Sequence, residues 1–234
     1  MALPPLPAYY IKRNHRKTLG IYIINGQVEV RAPLRYPAHY IDAFVRAKAP
    51  WIIKHVEASQ QQLLNKNAFA VDYGQTIDIL GVPHALLNDS ALKGANHKGA
   101  ENEPIIPLPP GLSPPQIKAL LVKKYKELAK QYLPTRAQLL GAEMDIAPAH
   151  ISITSAKTRW GSCSAKGRIN FSWRLMMASK PAVDYVVIHE LAHIKQMNHS
   201  KAFWAIVQKH MPHYKQAQAE LKNLAQHLQS QDWD

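Results

Sequence analysis

A five-residue motif, HELAH, occupies residues 189–193, inside an apolar stretch that contains neither proline nor glycine. Such a stretch predicts a helix, on which residues four apart share one face. His189 and His193 can then direct both imidazoles at one metal ion. Glu190, one residue further round the helix, can reach a water molecule on that ion without being a ligand itself. The motif therefore predicts a metal site that carries its own general base.

A third histidine, His199, follows His193 by six residues and can return to the same ion if the chain turns between them. Three protein ligands plus one water are typical of catalytic zinc sites, whereas structural sites usually have four ligands and often use thiolates. Cys163 is the only cysteine, which excludes a thiolate-rich structural site. We expect one Zn²⁺ ion, because zinc lowers the pKa of bound water to about 7 and polarises a carbonyl or phosphoryl oxygen.

Chance is a weak explanation for this motif. The chain has 12 histidines among 234 residues. The five-residue motif would arise fortuitously in roughly one such chain in a hundred, and the third histidine makes the coincidence about ten to twenty times rarer. Two histidines and a glutamate buried in an apolar helix without a metal would also carry an uncompensated desolvation cost. Metal binding is therefore favoured over a merely structural role.

Two segments carry a resemblance to a known family. Residues 189–204, HELAHIKQMNHSKAFW, and residues 159–164, RWGSCS, together resemble the YgjP-like metallopeptidase domain family, which looks related to the SprT and WLM groups of zinc proteases. The resemblance implies that the three histidines are zinc ligands and that Glu190 is the base. It also implies an α+β fold with a zincin-like helical metalloprotease core and a small antiparallel sheet.

The same ligand spacing occurs in metzincins, but Gln196 stands where those enzymes have a glycine, which argues against a metzincin proper. Met211, followed by Pro212, could lie beneath the metal as in a Met-turn. A methionine near a helix end is more often a core residue, so we favour a packing role for Met211.

Residues outside the motif are candidates for contacts with substrate. The segment 159–164 could form an edge strand along the cleft, where its backbone would pair with an extended peptide. Arg159 could instead bind a phosphate, a carboxylate or a developing oxyanion, or the segment could be a turn with Trp160 packed over Gly161. Cys163 is disfavoured as a nucleophile because no sequence feature pairs it with a base. Candidates for stabilising the transition state are His210, His213 and Tyr214.

The elements that must position these residues follow from hydrophobic periodicity and turn signals. Gly20–Ile24 and Gln27–Arg31 are rich in β-branched residues, and Asn25-Gly26 between them predicts a hairpin with a type I′ turn. A helical pattern runs from His39 to about Leu64, with Pro50 either kinking the helix or opening a second one.

A domain boundary is expected near the middle of the chain. Residues 71–87 return to strand character, so the N-terminal region is expected to be β-rich. Residues 93–115 combine glycine, proline and polar residues, which suits an extended linker. We therefore predict an accessory region of β-hairpin and helix over residues 1–110 and a zincin-like, metal-dependent hydrolase domain over residues 111–234.

The second half of the chain has its own start and stop signals. Ser113, Pro114 and Gln116 predict a helix start, with a capping hydroxyl, a proline at the first helical position and a glutamine three residues after the cap. Strands are expected at His150–Lys157 and Arg168–Met177. The remaining expectations are helices over Pro181–Met197, from near Ser200, and through Gln229.

The chain is basic, with a formal net charge of +13 and a pI near 9.8, and most of the excess positive charge follows residue 111. A basic surface attracts nucleic acids, nucleotides or acidic substrates, but it can also serve solubility alone. No secretory signal or long apolar span is evident. We therefore expect a cytoplasmic protein without a membrane partner.

Three functions compete. The leading one is a zinc-dependent metallopeptidase that acts on a protein or peptide and is localised to nucleic acid by its basic surface. The second is a metal-dependent nucleoside triphosphate pyrophosphatase at the same ion. The third is a basic nucleic-acid-binding module with a structural metal, against which Glu190 argues. For the second function, the candidate phosphate-binding residues are Arg159, Lys166, Arg168 and Arg174.

Overall fold

The computed structural model describes residues 8–89 and 104–234, where helices are combined with three small sheets, so the fold is α+β. Within these ranges, every helix is either too short or too polar to cross a bilayer. The chain forms two compact units. The units are Met1–Phe69 with Gln229–Asp232, and Ala70–Leu228 with Trp233–Asp234.

The first unit contains a mixed three-stranded sheet and two helices. The central strand β3 pairs in parallel with β1 and antiparallel with β2. Asn25 and Gly26 both have positive φ angles, 50° and 75°, which confirms the predicted type I′ hairpin between β2 and β3. Pro50 lies in the first turn of α2, so it opens a second helix. The elements are β1 (Tyr9–Asn14), β2 (Gly20–Ile24), β3 (Gln27–Pro33), α1 (Ala38–Ala47) and α2 (Ala49–Ala68).

Both helices of the first unit cover the same face of its sheet. Val28 and Val30 on β3 are almost completely buried, and they belong to one core cluster with Ile41 of α1 and Ile52 of α2. The alternation of side chains along β3 leaves its other residues on the opposite face. This core therefore holds the unit together from one side of the sheet.

The second unit begins with the sheet β4 (Thr76–Ile79), β5 (Val82–Asn88) and β6 (Ile105–Leu108). The expectation of a linker over residues 93–115 is wrong for residues 105–108, which pair in parallel with β5 as an outer strand. An outer position tolerates Pro107, because the proline ring removes a donor that the strand does not need there. Residues 93–103 of the expected linker lie outside the described residues.

The two units divide after residue 69, which differs from the boundary predicted between residues 110 and 111. The reason is that the β4–β6 sheet is attached to elements that follow it. The Tyr125 hydroxyl donates to the Asp78 carbonyl at 2.7 Å, and Leu80 N–H donates to the Met176 carbonyl at 2.8 Å. As a division between accessory and hydrolytic functions, the boundary near residue 110 stays a prediction.

Helix α3 spans Pro114–Met144 and supplies a long buried stripe to the core of the second unit. Its start was predicted correctly. Pro114 occupies the first turn, and the Gln116 side chain accepts a hydrogen bond from Ser113 N–H at 2.8 Å, as in a capping box. Leu121 and Tyr125 are among its fully or almost fully buried residues.

The sheet nearest the HELAH motif consists of β7 (His150–Thr154), β8 (Gly161–Cys163) and β9 (Arg168–Ser172), in the order β7-β9-β8. It is mixed, because β7 pairs with β9 in parallel and β8 pairs with β9 antiparallel. The expected antiparallel sheet is therefore wrong in this detail. Strand β8 pairs with the side of β9 that β7 leaves free.

The strand expected over Arg168–Met177 ends at Ser172, and Trp173–Met177 form a 3₁₀ helix. Ser172 Oγ accepts a hydrogen bond from Arg174 N–H, which caps the first turn of that helix. All five residues of the 3₁₀ helix are buried, so their apolar character reflects core packing and not a continued strand. Three helices complete the unit: α4 (Lys180–Lys195), α5 (Lys201–His210) and α6 (Tyr214–Gln229).

Candidate metal centre

Helix α4 carries the HELAH motif through the interior of the second unit. Ser179 caps its start, because its Oγ accepts a hydrogen bond from Ala182 N–H at 3.3 Å, and Pro181 lies in the first turn. The helix is buried on nearly all sides and packs against α3, α5 and β8. A helix that is apolar all round is expected in such a position. Its polar residues are therefore held rigidly.

The three predicted histidines converge. The Nε2 atom of His189 lies 3.2 Å from that of His193 and 3.1 Å from that of His199. Helix α4 ends at Lys195, and Gln196 is extended, so the chain reverses before Ser200 caps α5. This reversal returns His199 to the helix face of the other two. One ligand atom from each histidine lies within 4.8 Å of the others.

Hydrogen bonds on the far side of two rings orient them, and one of these bonds sets the tautomer of His193. His193 Nδ1 lies 3.1 Å from the Gln196 carbonyl oxygen, which can only accept. His193 Nδ1 must therefore carry the proton, and its Nε2 presents a lone pair to the cluster. His189 Nδ1 lies 3.3 Å from the Tyr185 hydroxyl, which accepts from Gln218 Nε2 at 2.8 Å. Such outer partners orient metal-binding histidines.

The cluster favours neutral imidazoles. Burial, together with the nearby His193 and His199, lowers the pKa of His189 to about 4. Burial also lowers the pKa of His193. The neutral ring is the form that binds a metal ion, because its lone pair is then free. Exposure rises from the buried His193 to the exposed His199, so the cluster opens to solvent on one side.

Aromatic rings surround the cluster. Phe203 is fully buried, and its ring centroid lies 4.6 to 4.9 Å from the centroids of all three imidazoles. Trp204 stacks on His199 at 5.7 Å. Tyr214, a candidate for stabilising the transition state, stacks on Trp204 at 5.3 Å and on Tyr185 at 6.2 Å. Phe203 and Trp204 therefore pack the start of α5 against the histidines.

The other candidates from the same region have different surroundings. His213 is exposed immediately before α6, and His210 is the half-buried last residue of α5. Met211 is the residue that follows and caps the end of α5. The roles of His213 and Tyr214 in catalysis therefore stay predictions.

Glu190 is buried beside the histidines, with a relative exposure of 6%. Among the described residues, no group forms a hydrogen bond with its Oε2 atom. Burial raises the pKa of the Glu190 carboxyl to about 7, and the positive charge of the exposed Arg159 partly opposes this shift. A carboxylate with a pKa near 7 can both accept and return a proton at neutral pH.

Strand β8 runs beside Glu190. A Cβ atom added at Gly161 would lie 2.7 Å from Glu190 Oε1 and 2.7 Å from its Cγ, so only glycine leaves room for this carboxylate. Cys163, the other residue of β8 on this side, has a raised pKa, first from burial and then from the charge of Glu190. A raised pKa disfavours the thiolate, in agreement with the sequence argument against a cysteine nucleophile.

Some backbone N–H and C=O groups of β8 point away from the sheet, at the outer edge of the strand. Ser172 N–H donates to the Trp160 carbonyl at 2.8 Å, and Ser164 N–H donates to the Arg168 carbonyl at 2.9 Å. Because backbone groups alternate in direction along an antiparallel strand, Gly161 and Cys163 direct theirs away from β9. Strand β8 is the outer strand of its sheet, as the edge-strand hypothesis for residues 159–164 requires.

The structure corrects one candidate phosphate-binding residue. Arg174 is buried, pairs with Asp234 Oδ1 at 2.9 Å and donates to the Ser155 carbonyl at 3.1 Å. It therefore serves the internal packing of the second unit and is unable to hold a substrate phosphate. Lys166 and Arg168 are exposed at the turn end of the β8–β9 hairpin, while Arg159 is exposed near Glu190.

The donor set fits a zinc ion. Three imidazole nitrogens lie together, the tautomer of His193 is set for binding through Nε2, and an unpaired carboxylate oxygen of Glu190 lies beside them. Three nitrogen ligands leave one position of a tetrahedral ion for water or substrate. Tyr185, Gln218 and the close contact of Gly161 with Glu190 were not predicted, because no local pattern marks them.

Two solved structures resemble part of the chain. The crystal structure of the metallopeptidase zymogen of Pyrococcus abyssi abylysin is 23% identical, covers 42% of this chain and 97% of its own, and has a TM-score of 0.37. The metallopeptidase zymogen of Methanocaldococcus jannaschii jannalysin is 20% identical, covers 41% and 97%, and has a TM-score of 0.35. No curated protein matches the chain.

The family comparison is more extensive. The model of the YgjP-like metallopeptidase domain matches residues 17–224, which include most of both units and the whole HELAH segment. This match confirms the resemblance noted from residues 159–164 and 189–204. The chain belongs to the YgjP-like metallopeptidase family.

Proposed function

We propose that the chain is a zinc-dependent peptidase with a zincin-like site, in which the three histidines are the ligands of one ion and Glu190 is the base. The convergence of three imidazole Nε2 atoms beside a buried carboxylate carries this proposal. Membership of a metallopeptidase family supports it. A carboxylate this close to the ligands has no function in a purely structural metal site, which usually has four protein ligands.

Zinc would supply Lewis acidity, polarising the scissile carbonyl and lowering the pKa of bound water to about 7. The Glu190 carboxylate accepts the proton from the attacking water. It then returns this proton to the amine that leaves, which its pKa of about 7 allows near neutral pH. His193 and His189 stay neutral and fixed in orientation by Gln196 and Tyr185.

The peptide substrate would lie along β8. Gly161 and Cys163 have backbone groups at the outer edge of the strand that pair with no other strand in the part of the chain that the structure describes, and an extended peptide can add there as a further strand. Because Gly161 lies against Glu190, a peptide on this edge would be close to the proposed base. Arg159, exposed at the start of the same strand, is our candidate for contact with a substrate carboxylate or the developing oxyanion.

A substrate panel tests this proposal against the pyrophosphatase alternative. The purified protein would be treated with a chelator, restored with zinc, and assayed in parallel on an unfolded polypeptide and on nucleoside triphosphates. We expect zinc-dependent cleavage of the polypeptide. The pyrophosphatase alternative is weakened because Arg174, one of its candidate phosphate-binding residues, is buried and paired with Asp234. Zinc-dependent release of pyrophosphate without any polypeptide cleavage would overturn the peptidase proposal.

The close contact at Gly161 gives a sharper prediction. Gly161→Ala would place a methyl group 2.7 Å from Glu190 Oε1, so the carboxylate has to move. A displacement of about 1 Å at a reacting group can cost on the order of 100-fold in rate. We expect a fall of this size in kcat, with unchanged zinc content. Ser162→Ala is the matched control, because Ser162 Oγ accepts a hydrogen bond from Asn170 Nδ2 and the side chain is not directed at Glu190. Equal activity of both variants would contradict the role of β8.

A further inference from the structure

The sheet of the first unit has one face that α1 and α2 leave uncovered. Side chains alternate along each strand, so the residues between the buried valines of β3, and their partners on β1 and β2, point away from the helices. We call this surface the open sheet face. Its members are Tyr10, Lys12, Tyr22, Glu29 and Arg31.

Two aromatic rings lie on the open sheet face. Tyr10 on β1 and Tyr22 on β2 are both in register with Glu29 on the central strand, so the three side chains form one row across the sheet. Tyr10 is 45% exposed and Tyr22 is 37% exposed. A tyrosine keeps a flat apolar ring and loses little conformational entropy on binding, so a pair of them on a sheet is a suitable surface for stacking.

The charge that this face presents is positive. The guanidinium of Arg31 lies 4.0 Å from the centroid of the Tyr22 ring, and that of Arg16 lies 5.8 Å from it. Glu29 is 5% exposed, and it pairs with Arg31 Nε at 2.5 Å and accepts a hydrogen bond from the Tyr10 hydroxyl at 2.9 Å. The charges of Glu29 and Arg31 therefore neutralise each other, and the net positive charge of this face comes from Lys12 and Arg16.

The charge of the surrounding sequence has the same sign. Residues 8–69 contain ten Lys and Arg residues against three Asp and Glu residues. Besides Glu29, Asp42 is also engaged, because it accepts a hydrogen bond from the Tyr9 hydroxyl. This unit would thus attract an extended anion, because its few acidic residues do little to cancel its positive field.

We propose that the open sheet face binds single-stranded nucleic acid. Bases would stack on Tyr10 and on the Arg31 guanidinium that lies over the Tyr22 ring, while Lys12 and Arg16 contact phosphates. Exposed rings beside cations on a sheet suit single strands, whose unpaired bases offer flat faces; in a duplex those faces are covered. An acidic peptide would match the charge but not the rings. This site is separate from the metal centre and does not depend on the proposed peptidase activity.

Fluorescence anisotropy with a labelled thymidine oligonucleotide of about 12 nucleotides tests the proposal on the full chain. We expect binding that weakens steeply as salt is raised, because phosphate contacts release counterions. Tyr10→Ala and Tyr22→Ala should each lower the affinity on the order of 10-fold, and Tyr22→Phe should restore it, since stacking needs the ring and not the hydroxyl. Circular dichroism spectra and thermal unfolding midpoints equal to those of the wild type would show that the variants are folded.

Tyr40→Ala is the matched control. Tyr40 is 57% exposed on α1, in the same unit, and its loss should leave the affinity unchanged. Three results would overturn the proposal: no binding at low salt, equal affinity of the alanine variants and the wild type, or equally strong binding of a duplex of the same length. Competition by polyglutamate as effective as that by unlabelled oligonucleotide would also overturn it, by showing a general anion surface.

Discussion

Glu190→Gln is expected to slow peptide hydrolysis by about 10²- to 10⁴-fold, the range that general acid–base catalysis typically contributes. Glutamine has almost the same size, so it should fit between the histidines and Gly161. Its amide is unable to accept a proton from water. The variant should therefore keep its zinc and its fold while losing the base. The measurement is kcat on an unfolded polypeptide, together with the zinc content of the same sample.

Glu127→Gln is the matched control, because Glu127 is exposed on α3 and makes the same change of charge. It should retain full activity. A Glu190→Gln variant as active as this control would remove Glu190 as the base. Loss of zinc from Glu190→Gln would show instead that the carboxylate is a ligand, which would change the coordination that we propose.

His199→Ala is expected to weaken zinc binding by more than about 100-fold, the upper end of what changes to outer partners of metal ligands cost. His199 is one of three nitrogen donors, and it is the exposed one. Its removal leaves two donors from a single helix, which water has to supplement. Competition with a chromogenic chelator measures the affinity, and hydrolysis should fall with the bound zinc.

His150→Ala is a suitable control for this measurement, because His150 is exposed on β7 and is not part of the cluster. Its zinc affinity should equal that of the wild type. Full retention of zinc by His199→Ala would exclude His199 from the site. In that case a group outside the three histidines would have to complete the coordination.

The features that could be predicted are those that short segments encode by themselves. Asn25-Gly26 adopts positive φ angles whatever surrounds it, and Ser113 with Gln116 marks a helix start through its own hydrogen bonds. The spacing of His189 and His193 also acts locally, since a helix of any origin puts them on one face. The hairpin, the start of α3 and the convergence of two candidate ligands follow from such rules.

The features that could not be predicted depend on partners far along the chain. Residues 105–108 contain a proline and become a strand only because β5 offers a free edge. Trp173–Met177 continue the alternation of β9, but burial in the core turns them into a 3₁₀ helix. Likewise, Gln218 reaches Tyr185 from α6, and no periodicity in either segment reports that contact. In each case tertiary packing decides between local alternatives.

The helical hairpin of α4 and α5 contains all three histidines and Phe203, while the strand that confines Glu190 lies earlier in the chain. Contacts between residues close in sequence form quickly during folding, whereas contacts over longer separations form later. The three histidines lie within ten residues of one another, so they can assemble before the β8–β9 hairpin, which is more distant in sequence, packs against Glu190. During its synthesis and folding, the protein is expected to capture its metal first and to become competent for hydrolysis only afterwards, so the order of assembly itself delays activity.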